Sequence, residues 1–147
     1  MTLAASAQRF QVKLFYIAGT RVKGLHLQEK KTDGSTAEIK DEDVPTQELI
    51  QLLVTNEKLT RSVAAYILRN RKEKGVPEAL LKTAKFDQNL DVMKEALQSF
   101  DLITGYNNVD IFGYEYALKW WMENKVTVDP KLKDMSTTTA SGDDKKQ

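Results

Sequence analysis

The chain contains no cysteine and only one histidine, His26, among its 147 residues. Disulfides, thiolate metal sites and cysteine nucleophiles are therefore excluded. Serine-type and metal-dependent hydrolysis both lean on histidine, and the sequence marks no nucleophile or second ligand beside His26. The seven glycines are too widely spaced to form a phosphate-binding loop. We therefore predict a non-enzymatic protein with no metal, no cofactor and no small-molecule substrate.

Long apolar runs are missing as well. The longest candidate, residues 63–68, is far shorter than the ~18 residues that a membrane-crossing helix needs. The N-terminus lacks the basic leader and apolar stretch of a secretory signal. Hydrophobic residues make up 41% of the chain and charged residues 29%, which is typical of an ordinary globular domain. We expect a soluble protein of the cytoplasmic type, or one within a macromolecular assembly, with no membrane partner.

The first part of the chain predicts β-strands. Polar and apolar residues alternate from Phe10 to Tyr16, as in a strand of a half-buried sheet. Residues 22–27 could run back beside it. The pair Asp33-Gly34 is a strong hairpin signal and predicts a turn into a short third strand.

After Pro45 the apolar residues recur at helical spacing. The predicted elements are helices over about 46–56, 60–73, 77–83, 87–100 and 112–124, with a short hairpin over 102–111. We expect an α+β fold, in which an N-terminal antiparallel sheet of about three strands precedes a mostly helical region. Residues 1–128 would form this single domain, with strands in 9–40 and mainly helices in 46–125, and residues 129–147 would form a flexible polar tail.

Charge is unevenly distributed along the chain. The basic segment, residues 58–86, carries eight basic and two acidic side chains, whereas the acidic segment, residues 26–50, carries seven acidic and three basic ones. The whole chain nets only +1. At 100° per residue, Arg61, Arg69 and Lys72 lie within about 80° of arc on the second predicted helix. Guanidinium and ammonium groups donate hydrogen bonds to phosphates and carboxylates, so this basic stripe is a candidate anion or nucleic-acid contact. The alternative interpretation is a solvated outer face.

The last predicted helix is apolar on two sides. Phe112, Tyr116 and Trp120 form one stripe, and the second stripe contains Tyr114, Ala117, Leu118 and Trp121. A helix that is apolar on two sides must be buried on two sides, and in a small domain the second side can face another molecule. Because Trp and Tyr are favoured interface anchors, Phe112, Tyr116 and Trp120 are candidate partner contacts. The alternative is a central helix enclosed within the domain.

Two functions follow from these patterns. The preferred hypothesis is a non-catalytic assembly or adaptor protein that acts through protein–protein contacts in a larger complex, for which a virion or a similar particle would be one setting. Opposite charges and spare aromatic surface allow copies of the chain, or a different protein partner, to dock in a fixed orientation.

The second hypothesis is a nucleic-acid-binding module. The order of three helices, a hairpin over 102–111 and a final helix is similar to a winged-helix arrangement, in which 97–104 would run from the recognition helix into the wing. The resemblance covers about 80 residues. It implies contact with DNA or RNA. The predicted recognition helix is mainly acidic, which phosphates repel, so the basic helix at 58–74 is the expected contact.

Overall fold

Across the described residues, the fold combines a small sheet with five α-helices. The computed structural model describes residues 10–16, 23–107 and 113–135. The strands are β1 (Phe10–Tyr16), β2 (Lys23–Lys30) and β3 (Thr36–Glu38). The helices are α1 (Thr46–Leu52), α2 (Lys58–Ile67), α3 (Val76–Phe86), α4 (Leu90–Thr104) and α5 (Tyr114–Val128). This order confirms the predicted α+β class, with the sheet first and the helices after it.

The sheet is antiparallel, with the strands in the order β1-β2-β3. Phe10 pairs with Glu29 across the first two strands. The turn into β3 places Gly34 at a φ of +91°, which favours glycine. The Asp33 carboxylate accepts hydrogen bonds from both the backbone N–H and the hydroxyl of Ser35. The hairpin predicted at Asp33-Gly34 is confirmed, and the sheet buries Phe10 and Leu27 against the helices.

The helical core is built on the close approach of α2 and α4. Ala64, Ala65, Ala96 and Ser99 are all completely buried. The Ser99 hydroxyl donates a 2.6 Å hydrogen bond to the carbonyl of Ala65. Small side chains let the two backbones come close, and the buried hydroxyl finds a partner in the facing helix. This contact fixes α4 beside α2 and places Phe100 at the centre of the core.

The second helix, α2, is shorter than the sequence predicts, and the connection from it to α3 is longer. The predicted helix 60–73 ends at Ile67 and continues only as a 3₁₀ turn over Leu68–Asn70. The helix does not continue through Arg71, whose side chain donates hydrogen bonds to the Thr46 hydroxyl and to the carbonyl of Asp41. Gly75, at a φ of +92°, precedes α3, and Pro77 lies in the first turn of that helix.

The predicted hairpin over 102–111 is wrong in its first half. Leu102, Ile103 and Thr104 form the last turn of α4, and Gly105, with a φ of +81°, caps its end. Ile103 is buried on the same face as Phe100, so core packing continues the helix past the predicted end at residue 100. The second half of the hairpin falls mainly outside the described residues. The wing that the winged-helix resemblance requires therefore begins as helix.

The polar tail also begins later than predicted. Asp129–Lys131 form a 3₁₀ turn, and Leu132 is only 7% exposed. The N–H of Lys133 donates to the carbonyl of Lys72, and the carbonyl of Lys133 accepts from the N–H of Lys74. An apolar anchor and two backbone hydrogen bonds thus hold residues 129–135 to the domain. Residues 136–147 of the predicted tail lie outside the described residues.

The described helices, α1 to α5, include no candidate for a membrane-spanning segment. None of these described helices is both long enough and apolar enough to cross a bilayer.

Candidate interaction surfaces

Arg61, the first member of the basic stripe, is used inside the domain. Its Nε donates to Asp87 Oδ2 at 2.7 Å, and its Nη1 donates to the carbonyls of Thr55 and Asn56 at 3.0 Å. The Arg61 side chain is 18% exposed and that of Asp87 only 5%. One guanidinium therefore joins α2, the loop before it and the segment after α3, and its charge is already balanced.

Arg69 is engaged in a similar way. Its Nη2 lies 2.9 Å from Glu95 Oε1 on α4, and its guanidinium carbon lies 4.0 Å from the ring centroid of Tyr66. Stacking on an aromatic face and pairing with a carboxylate are both favourable for arginine. Both guanidiniums of the stripe thus have internal partners, and Lys72 is the exposed member.

The acidic and basic segments, which are separate along the sequence, lie next to each other in the fold. Arg71, from the basic segment, donates to the backbone carbonyl of Asp41 in the acidic segment. Glu73 accepts a 2.8 Å hydrogen bond from the hydroxyl of Thr46 at the start of α1. The acidic and basic segments therefore adjoin each other, which shortens the reach of both fields.

The inner side of α5 is anchored on α3 and α4. Ala117 and Trp121 are buried, and Trp121 Nε1 donates to Glu78 Oε2 at 3.2 Å. Lys125 Nζ lies 2.9 Å from the same oxygen. The hydrogen bond and the charge of Glu78 raise the pKa of Lys125. Glu78, on α3, therefore holds two successive turns of α5.

An aromatic cluster beneath α5 includes Trp120, one of the predicted interface residues, but leaves Tyr116 exposed. The Phe100 ring makes edge contacts with Trp120 and Trp121, at centroid distances of 6.3 Å and 5.8 Å. Trp120 also lies 5.3 Å from Tyr106, and it is half-buried. Tyr116 is 59% exposed. Of the predicted trio, Tyr116 faces outward and Trp120 lies at the edge of the core, while Phe112 lies outside the described residues.

The side of α5 opposite the core carries exposed apolar residues among alternating charges. We call this surface the outer face of α5; it comprises Glu115, Tyr116, Lys119, Met122, Glu123 and Val126. Met122 is 71% exposed and Val126 is 81% exposed. Part of the face is a shallow depression of about 360 Å³, which the half-buried Leu118 also lines. The sequence interpretation missed Met122 and Val126, although Leu118, Met122 and Val126 follow one another at four-residue spacing, which is a usable signal.

A second concave surface lies between α1, α2 and α3. It encloses about 450 Å³. Apolar side chains from α1, the residues just after it and α3 line it, α2 contributes Arg61, and Val54 and Phe86 are 79% and 64% exposed at its border. Arg61 and Asp87 form part of its wall, so its main charged pair is self-compensated. Lys82 adds a single exposed positive charge.

Comparisons with known proteins give no relative from which the role of these surfaces could be inferred. No protein-family model, no curated protein and no solved structure matches this chain. Within residues 10–16, 23–107 and 113–135, no three His, Asp or Glu side chains lie together in a way that could hold a metal ion.

Proposed function

We propose that this protein is a non-catalytic assembly protein that binds other protein surfaces through the outer face of α5. One observation carries the proposal. In a helix of 15 residues, only Ala117 and Trp121 are buried, whereas Tyr116, Met122 and Val126 are 59%, 71% and 81% exposed.

The physical argument is the cost of leaving this face in water. Burying apolar surface is worth roughly 25 cal/mol per Å², so a partner that covers three large apolar side chains gains stability. Tyr and Met are enriched at the centres of protein interfaces, where methionine adapts its shape to the surface it meets. The charges between them set the orientation of the partner.

The uses of the carboxylates support a non-catalytic role. Asp87 pairs with Arg61, Glu95 pairs with Arg69, and Glu78 receives Trp121 and Lys125. Each of these carboxylates joins two helices or a helix and a loop. Their contacts stabilise the arrangement of helices.

The alternative function, nucleic-acid binding, has weaker support. Two of the three cations in the basic stripe are committed to Asp87 and Glu95. An external phosphate would have to compete with a carboxylate that is already in place, and at Arg61 the penalty for stranding the buried Asp87 carboxylate opposes the exchange.

Oxidation footprinting of Met122 tests the proposed function. Hydroxyl radicals or peroxide would be applied to the purified protein at low concentration and to intact cells that produce it, and sulfoxide would be measured by mass spectrometry. We expect Met122 to be oxidised rapidly in the dilute protein and to be protected in cells. The control is the variant Gln51→Met, which adds a methionine at an exposed position on α1. Equal oxidation of Met122 in both settings would refute the proposal.

A further inference from the structure

We propose that the partner on the outer face of α5 is a second copy of this chain, docked antiparallel about a two-fold axis at the level of Trp121. The inference rests on the proposed function and names the occupant of the same surface. A two-fold interface uses one patch twice, so the patch must be complementary to itself. The outer face of α5 meets that condition in charge and in apolar content.

The geometry of the helix gathers these side chains on one side. At 100° per residue, Met122, Glu123, Val126 and Tyr116 all lie within about 60° of the direction of Lys119. Trp121 lies about 160° away from that direction, and it is only 3% exposed. A second helix laid along the Lys119 direction therefore contacts the exposed residues and leaves the anchoring of α5 untouched.

The alternating charges restrict how two copies can pair. Glu115, Lys119 and Glu123 follow one another at one-turn intervals, about 6 Å apart along the axis. An antiparallel pair centred on the level of residue 121 brings Lys119 of one copy to the level of Glu123 of the other, and the symmetry repeats the contact. Centring the pair on residue 119 or 123 instead places like charges opposite each other, which is unfavourable.

The apolar residues decide between the two registers that satisfy the charges. A pair centred on residue 117 would match Glu115 with Lys119, but it leaves Val126 at the level of residue 108, beyond the start of α5. The pair centred on residue 121 brings Tyr116 of one copy to the level of Val126 of the other and keeps Met122 near the axis. Only this second register covers all three exposed apolar side chains.

The contact of one helix with its copy is small, so the dimer should be weak. Interfaces that bury less than about 1,200 Å² belong to transient complexes, and we expect a dissociation constant in the micromolar range. Sedimentation equilibrium over a concentration series from about 1 µM to about 500 µM covers this range.

Charge reversal provides the decisive test. Lys119→Glu and Glu123→Lys should each weaken the dimer at least about tenfold, because each places like charges opposite each other twice. Combining the two changes in one chain should restore the dimer, and mixing the two single variants should give a heterodimer. Lys82→Glu, the same change of charge on the exposed side of α3, is the control and should leave the dissociation constant unchanged.

Several results would overturn the inference. A wild-type protein that stays monomeric to about 500 µM, or single variants that dimerise like the wild type, would exclude the second copy. Failure of the double variant to recover the dimer, while far-UV circular dichroism shows an unchanged fold, would exclude the proposed register. If Met122 is nevertheless protected in cells, the occupant is a different protein and the proposed function stands. If Met122 is also unprotected, both proposals fail.

Discussion

Replacing Arg61 with alanine should destabilise the whole domain. In the wild type, the guanidinium donates to Asp87 and to the carbonyls of Thr55 and Asn56. The substitution removes all of these donors at once. It leaves the Asp87 carboxylate, 5% exposed, with the backbone N–H of Asn89 as its remaining partner in this network.

The magnitude follows from the burial of the pair. Removing one partner of a buried ion pair typically costs about 3–5 kcal/mol. The Asn89 hydrogen bond and the partial exposure of Arg61 place this site at the low end, so we expect a loss of about 3 kcal/mol in the free energy of unfolding. For a domain of this size, such a loss lowers the melting temperature by roughly 10 °C.

Urea denaturation followed by circular dichroism and tryptophan fluorescence would measure this loss. Lys72→Ala is the control, because Lys72 belongs to the same basic stripe but is exposed, and its removal should change stability by less than about 0.5 kcal/mol. A cost below about 1 kcal/mol for Arg61→Ala would refute the reasoning. It would mean that water screens the pair as at an open surface and that Arg61 is available to an external anion.

Three further predictions concern the turn, the core and the anchor of α5. The hydrogen bond from the Ser35 hydroxyl lowers the pKa of Asp33, so Ser35→Ala should raise that pKa in an NMR titration, and an unmoved pKa would contradict this. The stabilisation that this bond gives the folded state should be present above the unfolded pKa of Asp33 and should disappear as the pH falls through the folded pKa. Ala96→Leu should lower the free energy of unfolding by about 1–3 kcal/mol in urea, since Ala96 is completely buried, and a neutral result would mean that α2 and α4 separate easily. Trp121→Phe should cost about 1 kcal/mol or more by leaving Glu78 without the indole donor, which thermal melts would detect and which wild-type stability would disprove.

Local signals predicted the elements whose ends depend on backbone chemistry. Asp33-Gly34 predicted the β2–β3 turn, because these residues prefer the backbone angles of a tight turn. The end of α4 was misjudged, since Leu102 and Ile103 suit a strand as well as a helix. Burial of Ile103 in the core settles that choice, and burial depends on the tertiary structure.

The candidate surfaces were harder to predict for a different reason. Arg61 and Arg69 each pair with a carboxylate 26 positions away, and no local pattern connects the partners. The sequence therefore presents a basic stripe that the fold largely neutralises. On α5, the pattern predicts apolar residues on two sides, and the burial of Trp121 together with its hydrogen bond to Glu78 shows which side is the inner one.

The short pairing between Glu73 and Lys133 has a practical consequence for anyone who shortens or labels this protein. Cutting the chain at Val128, where the last long helix stops, would delete the side chain of Leu132 and open a hole in the core beneath it. It would also release the connector before α3 to digestion by proteases. Residues through Met135 should therefore be retained, and any purification tag belongs beyond them.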